Sequence, residues 1–353
     1  MRFPFPFKRR CAVKGAGRLP MNETTKQTIR KRASLLQDYA GPHHPILWNS
    51  PEILCMQAVC AGREEDALSL FREEKLFGGN PVIDAPQGRY EGLSEIRRFV
   101  RGWLPLFDAS SAELIPVIQT RANGRSVTEA VVNFYTDGGI DQVSMFIVGE
   151  LRTAEALDEL RIYFHFTHAK GLTGYRRPLF TSSHLEMGDP QLLTGAVREY
   201  YEALHHTPCV QVDRIMSTMA EGCRFGGYEP AGVQPHGSSR EELRKTYEHM
   251  ASYIPKWVGM RYETITDDGV NCVIEWVHIV SREGKEKGGR VCISGISSYE
   301  RGKDGLLCSI RICDYAGFEK QIDWSKASLA EEEARALNLV EEFPSGCGRR
   351  PQT

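Results

Sequence analysis

Two stretches of the chain repeat one succession of signals, and this duplication restricts the fold more than any other feature of the sequence. Near residues 50–170 and again near 193–320, two amphipathic segments lead into a series of long, β-branched runs. Ile53–Phe71 sets Leu54, Ala58, Val59, Ala67, Leu68 and Phe71 at helical spacing, with Ala61-Gly62 as a break. Val197–Met219 repeats this with Val197, Tyr200, Tyr201, Leu204, Ile215 and Met219, jointed at His205–Gln211. Each pair runs into a short extended segment and a glycine-initiated helix. Asp84 and Glu229 stand 145 positions apart, as do Gly92 and Gly237. Ser238 and Glu241 have the spacing of a capping box.

The runs that follow alternate apolar and polar residues: 112–119, 126–135, 142–151 and 159–167 in the first copy, then 259–266, 271–281, 289–301 and 306–315 in the second. Short polar turns such as Asp267-Asp268-Gly269 and Lys303-Asp304-Gly305 join them, which predicts antiparallel meanders and excludes a doubly wound nucleotide fold. Gly15-Ala-Gly17 therefore carries no phosphate-binding meaning, because no strand precedes it. The predicted class is α+β: two tandem cone-shaped domains, each a strongly curved antiparallel sheet packed against about three helices. The predicted boundaries are a partly disordered extension over 1–49, a first domain over 50–175, a second over 190–322, and an extension over 323–353 with a helix near 330–342.

Composition narrows the partners. A chain of 353 residues with 41% hydrophobic and 25% charged residues has the makeup of two soluble domains, and a net charge of -2 gives no field for nucleic acid or an acidic membrane. The ten cysteines are scattered without a C-x-x-C pair, which points to reduced thiols, mostly core residues, in a cytoplasmic protein. The basic opening segment lacks the apolar run of a secretory signal, and Met21 is an alternative start to Met1. His43-His44 and His205-His206 lack further ligands at metal-site spacing, so neither a metal nor another cofactor is expected.

The order of elements, with the Ile83-Asp84-Ala85-Pro86-Gln87-Gly88 and Tyr228-Glu229-Pro230-Ala231-Gly232 junctions, resembles the nuclear transport factor 2-like superfamily. Ser298–Arg311 is similar to the last hairpin of its SnoaL-like polyketide cyclase branch. The resemblance implies a fold that hosts isomerases, cyclases, dehydratases, hydrolases and plain binding modules. Ketosteroid isomerases in that superfamily carry a general-base carboxylate followed by proline. Glu229 before Pro230 matches, and Asp84 stands one residue short of Pro86. Their oxyanion-hole tyrosine, in a Tyr-x-Ala-Leu context, corresponds to Tyr201, where the first copy has Cys55; their protonated aspartate falls on or near Ser297, a departure from the family pattern.

A carboxylate at the mouth of an apolar pocket becomes a proton shuttle near neutral pH, which makes Glu229 and Asp84 candidate bases. Tyr201 is then the donor to a substrate carbonyl, stabilising the enolate. His165, on the strand face of Tyr163 and Thr167, is a candidate partner for Asp84; a structural histidine is the alternative. Trp276 and His278 share a strand face with Cys272 and Ile274, opposite Glu275. With Trp257 and Tyr299 they are the expected lining for a flat, apolar or aromatic ligand. The expected function is binding of a small, largely apolar carbonyl compound, with cofactor-free acid/base catalysis of the isomerase or lyase type. The alternative is a non-catalytic ligand-binding or assembly protein whose copies pair sheet to sheet, within one chain or as a homo-oligomer.

Overall fold

Ser50, extended, and Pro51 at the first helical position open the first helix, as proline's fixed φ and missing N–H favour. The computed structural model describes residues 44–71, 80–164, 188–205, 210–229, 232–237, 239–253, 257–281 and 290–314. Helices α1 (Pro51–Cys60) and α2 (Glu64–Leu68) precede strands β1 (Val82–Ala85) and β2 (Gly88–Glu91), helix α3 (Leu93–Leu106), and strands β3 (Ala109–Ala122), β4 (Arg125–Thr136), β5 (Gly139–Thr153) and β6 (Ala156–Phe164). The second half repeats the order with α4 (Gly195–Leu204), α5 (Val212–Ser217), β7 (Met219–Glu229), β8 (Gly232–Gly237), α6 (Arg240–Tyr253), β9 (Trp257–Asp267), β10 (Asn271–Ser281), β11 (Arg290–Arg301) and β12 (Leu307–Asp314). The predicted duplication is thus a duplication of architecture: two cone-like α+β units, each with three helices on one sheet.

Strand order is β2-β1-β6-β5-β4-β3 in one sheet and β8-β7-β12-β11-β10-β9 in the other. The four long strands of each half form the expected antiparallel meander. A hairpin then joins by parallel pairing, β1 to β6 and β7 to β12, so each sheet is mixed and longer than the meander alone. Met219, expected at a helix end, begins β7. The β3–β4 reversal is made by Asn123 and Gly124, both at positive φ (50° and 74°), as a two-residue hairpin of right-handed twist requires. The cap of α6 is Ser239, whose Oγ accepts from Glu242 N at 3.2 Å; Ser238 lies outside the described residues, as do the predicted helix near 330–342 and most of both extensions.

Each sheet buries both faces. Ala130, Val132 and Phe134 of β4 and Leu160, Ile162 and Phe164 of β6 pack against the helices of the first half. Cys272, Ile274 and Trp276 of β10 and Ile310 of β12 do so in the second. Alternate residues, among them Val127, Glu129, Phe146, Arg161, Val273, Glu275, Ile296 and Arg311, are equally buried and face the other way. There the sheets meet, with β3 and β4 against β9 and β5 against β7 and β8. Two ion pairs cross this seam in reciprocal positions. Arg161 of β6 grips Glu275 of β10 through Nε (2.8 Å) and Nη2 (2.7 Å), and Arg311 of β12 grips Glu129 of β4 through Nε (2.6 Å) and Nη2 (2.9 Å). Burial opposes the Arg161 charge, and Glu275 and Glu150 outweigh it, holding the guanidinium well above its ordinary pKa. Glu300 holds Arg311 from within the second half, as Glu150 holds Arg161 within the first.

Candidate functional site

The interiors of the two cones differ in chemistry. In the first, Trp103 of α3 lies against Phe99, Phe107, Phe134 and Phe164, and Phe107 stacks on Phe134 with centroids 3.7 Å apart. This apolar aromatic cluster fills the space under α3. In the second, the helical spacing of α4 turns Tyr200 and Tyr201 inward onto Tyr299 of β11, Tyr262 of β9 and Tyr247 of α6. Tyr201 and Tyr299 join hydroxyl to hydroxyl at 2.8 Å, and Tyr200 joins Tyr247 at 3.0 Å.

The network continues along the sheet. Trp276 Nε1 donates to Ser297 Oγ at 2.7 Å, two residues before Tyr299 on β11. Gly295, opposite Trp276 in the β10–β11 register, leaves the indole its place, since a Cβ there would run into the ring. Burial drives Tyr201 well above an ordinary phenol, with Tyr299 adding to the effect, and burial also raises Tyr299 against the hydrogen bond of Tyr201. Both phenols are therefore neutral donors at physiological pH. The hydroxyls of Tyr299 and Tyr201 supply two protons to one mutual link, which leaves one proton to donate elsewhere. His205 stacks on Tyr201 at 5.6 Å between centroids, with Nδ1 3.0 Å from the Tyr201 carbonyl.

The structure thus brings together Tyr201, Trp276 and Tyr299 from the residues singled out in the sequence. Glu229 ends β7 opposite Gly232, Trp257 opens β9 opposite Val280, and His278 sits in β10 opposite Ile293; for these three the structure describes the backbone position. His165 lies outside the described residues. Asp84 departs from expectation. Its neighbours Ile83 and Ala85 enter the first core, so alternation sends Asp84 to the opposite face, level with Arg161, and its carboxylate is 3.5 Å from Arg89.

One buried polar residue had no signal in the sequence reading. Glu52, in the first turn of α1, is fully buried, and four donors converge on its Oε1: Gln119 Nε2 at 2.7 Å, Ser126 Oγ at 2.5 Å, Ser50 Oγ at 2.9 Å and Thr128 Oγ1 at 3.1 Å. An acid there reads in sequence as an exposed partner for the helix dipole; only the fold of β3 and β4 brings Gln119, Ser126 and Thr128 onto it.

No protein-family model matches the chain, and no curated protein does. Solved structures similar to parts of it are of ketosteroid isomerase-like and NTF2-like proteins. A Catenulispora acidiphila protein of ketosteroid isomerase-like fold, in complex with trimethylamine, is 13% identical and aligns over 35% of this chain and 90% of its own, with a TM-score of 0.29. The epoxide hydrolase/cyclase-like enzyme SalBIII of pyran ring formation in salinomycin is 15% identical over 34% of this chain and 87% of its own, at a TM-score of 0.27. A Mycobacterium tuberculosis protein in complex with estradiol-17beta-hemisuccinate is 15% identical over 34% of this chain and 97% of its own, at 0.27.

Proposed function

We propose that the second half encloses a small, largely apolar molecule carrying a carbonyl or similar acceptor, held against Tyr201, Tyr299 and Trp276. The observation that carries this reading is the tyrosine network itself: neutral phenols, buried among apolar residues, with one hydroxyl proton more than their mutual bonds use. Such a donor has its full strength where water is excluded, and it matches an acceptor on an otherwise apolar ligand. The first half, its interior filled by Trp103, Phe107 and Phe134, serves in this reading as the support whose sheet fixes the second.

Catalysis is the further step of the proposal. Glu229, at the end of β7, removes a proton beside the carbonyl, and the Tyr201–Tyr299 pair stabilises the resulting enolate, which is proton transfer of the isomerase or lyase type. Tyr201 fits the donor role, because burial keeps its proton on. Asp84, on the face of Arg161, is left out of the scheme.

A thermal-shift screen of ketones, steroids, polyketides and terpenoids tests the binding reading, since a ligand of the folded state raises its stability by mass action. The expected result is a rise in melting temperature with acceptor-bearing compounds that Tyr201→Phe diminishes. A library without effect, or a rise untouched in Tyr201→Phe, contradicts it. Glu229→Gln tests catalysis separately: turnover of a bound ketone disappears while binding stays.

A further inference from the structure

Glu52 differs from four other buried glutamates among the described residues. Glu129, Glu159, Glu275 and Glu300 each meet a guanidinium. Among the described residues no cation lies against Glu52, although none of its surface reaches solvent. A carboxylate taken wholly out of water is normally paired with a cation, because desolvation of an isolated charge costs more than neutral hydrogen bonds return. The bonds it does have are one-sided. Ser50, Gln119, Ser126 and Thr128 all donate to Oε1, and Oε2 is buried with no hydrogen-bond partner.

The surroundings are built to hold the group in this orientation. Gln119 is locked from both ends, its Oε1 accepting from Leu47 N at 2.8 Å and its Nε2 bonded to Ser50, Glu52 and Ser126. Gly149 of β5 lets the side chain approach the sheet, since a Cβ there would stand 3.0 Å from Glu52 Cβ. The second half offers no counterpart, for Ile265, Cys272 and Ile274 take the places of Gln119, Ser126 and Thr128 in the equivalent strands. The result is a fixed carboxylate with one oxygen committed and the other open.

We propose that Glu52 Oε2 is the recognition group of a small-cation site in the first half, taking an ammonium or primary-amine group that supplies the missing charge and the missing N–H donor together. An N–H cation satisfies both deficits with one charge-assisted hydrogen bond. A quaternary ammonium brings charge without a donor. Sodium brings charge to a place where Oε2 stands without the further open oxygens that a hard metal cation collects.

The test is the melting temperature of the full-length protein in ammonium, methylammonium, tetramethylammonium and sodium chloride at equal ionic strength. The expected result is a saturable rise with ammonium and methylammonium over sodium, absent with tetramethylammonium. In Glu52→Gln the rise disappears. Should that variant fail to fold, Glu52→Asp keeps the charge but withdraws the oxygen, and the apparent affinity weakens by more than about tenfold, the fold-change of one charge-assisted hydrogen bond. Tyr299→Phe leaves the effect in place, which separates this site from the tyrosine network. Wild-type protein that treats all four salts alike, or a rise that survives in both Glu52 variants, overturns the proposal.

Discussion

At the scale of single residues, the hydroxyls and thiols of the two cores make the most definite predictions. Tyr299→Phe removes a buried hydrogen bond to Tyr201 while keeping the ring, so it lowers unfolding stability by about 1 kcal/mol, measurable by urea titration. Gly295→Ala forces Trp276 off its seat and destabilises by about 1–3 kcal/mol, the range of overpacking. The phenols and thiols also set an alkaline limit. Burial holds Tyr200, Tyr201 and Tyr247 well above a free phenol, pushes Cys60 and Cys223 up to about 12, and Cys308 to about 11. In the unfolded chain these groups release protons near their ordinary values of about 9 to 10, whereas the folded chain retains them. Their stabilising contribution is therefore complete below about pH 9 and is lost as pH rises through the folded values. Unfolding titrations from neutral to strongly alkaline pH should show stability falling from about pH 9 upward; a flat profile contradicts the buried placement of these groups.

At the scale of elements, the seam between the sheets is the most informative contact. Removing one partner of a buried pair strands a charge, so Arg311→Met alone or Glu129→Gln alone lowers stability by about 3–5 kcal/mol, and Arg311→Met with Glu129→Gln together costs less than the sum, the remaining cost being Glu300, which stays buried without its guanidinium. A double-mutant cycle by chemical unfolding reads the difference. Much of this architecture was legible in the sequence. The i, i+3, i+4, i+7 run of Val197, Tyr200, Tyr201 and Leu204 fixed the inner face of α4, and period-two alternation put Trp276 opposite Glu275. Alternation separates two faces but does not say what covers each, and here a second sheet covers the outer one. Of the hairpin strand β7 only the short extended segment at Tyr228-Glu229 was legible, because Gly222, Gly226 and Gly227 dilute the strand signal of the rest. Asp84, one residue short of the proline that the motif's carboxylate precedes, lies on the face of Arg161, because the pleat and not the motif decides the face. Glu52 was illegible because three of its four partners come from two strands about seventy positions away in the chain.

At the scale of the whole molecule, a duplicated unit has diverged in its interiors while keeping its seam. Arg161 corresponds to Arg311, Glu129 to Glu275 and Glu150 to Glu300, so the guanidinium–carboxylate pattern is nearly the same from either side. The places of Tyr201 and Tyr299 are taken in the first half by Cys55 and Gly149. This division fits the proposed function, in which the second half is the container and the first its support. In the proposed function the second core is a donor-lined container. It is tested most directly by calorimetric titration of a ketone that stabilises the protein, in parallel with its analogue bearing a methylene in place of the carbonyl. The ketone should bind wild type at least about tenfold more tightly than the methylene analogue, and Tyr299→Phe should erase most of that difference, since one buried hydrogen bond is worth roughly that ratio. Equal affinity for the two compounds, or a preference unchanged in Tyr299→Phe, would contradict it.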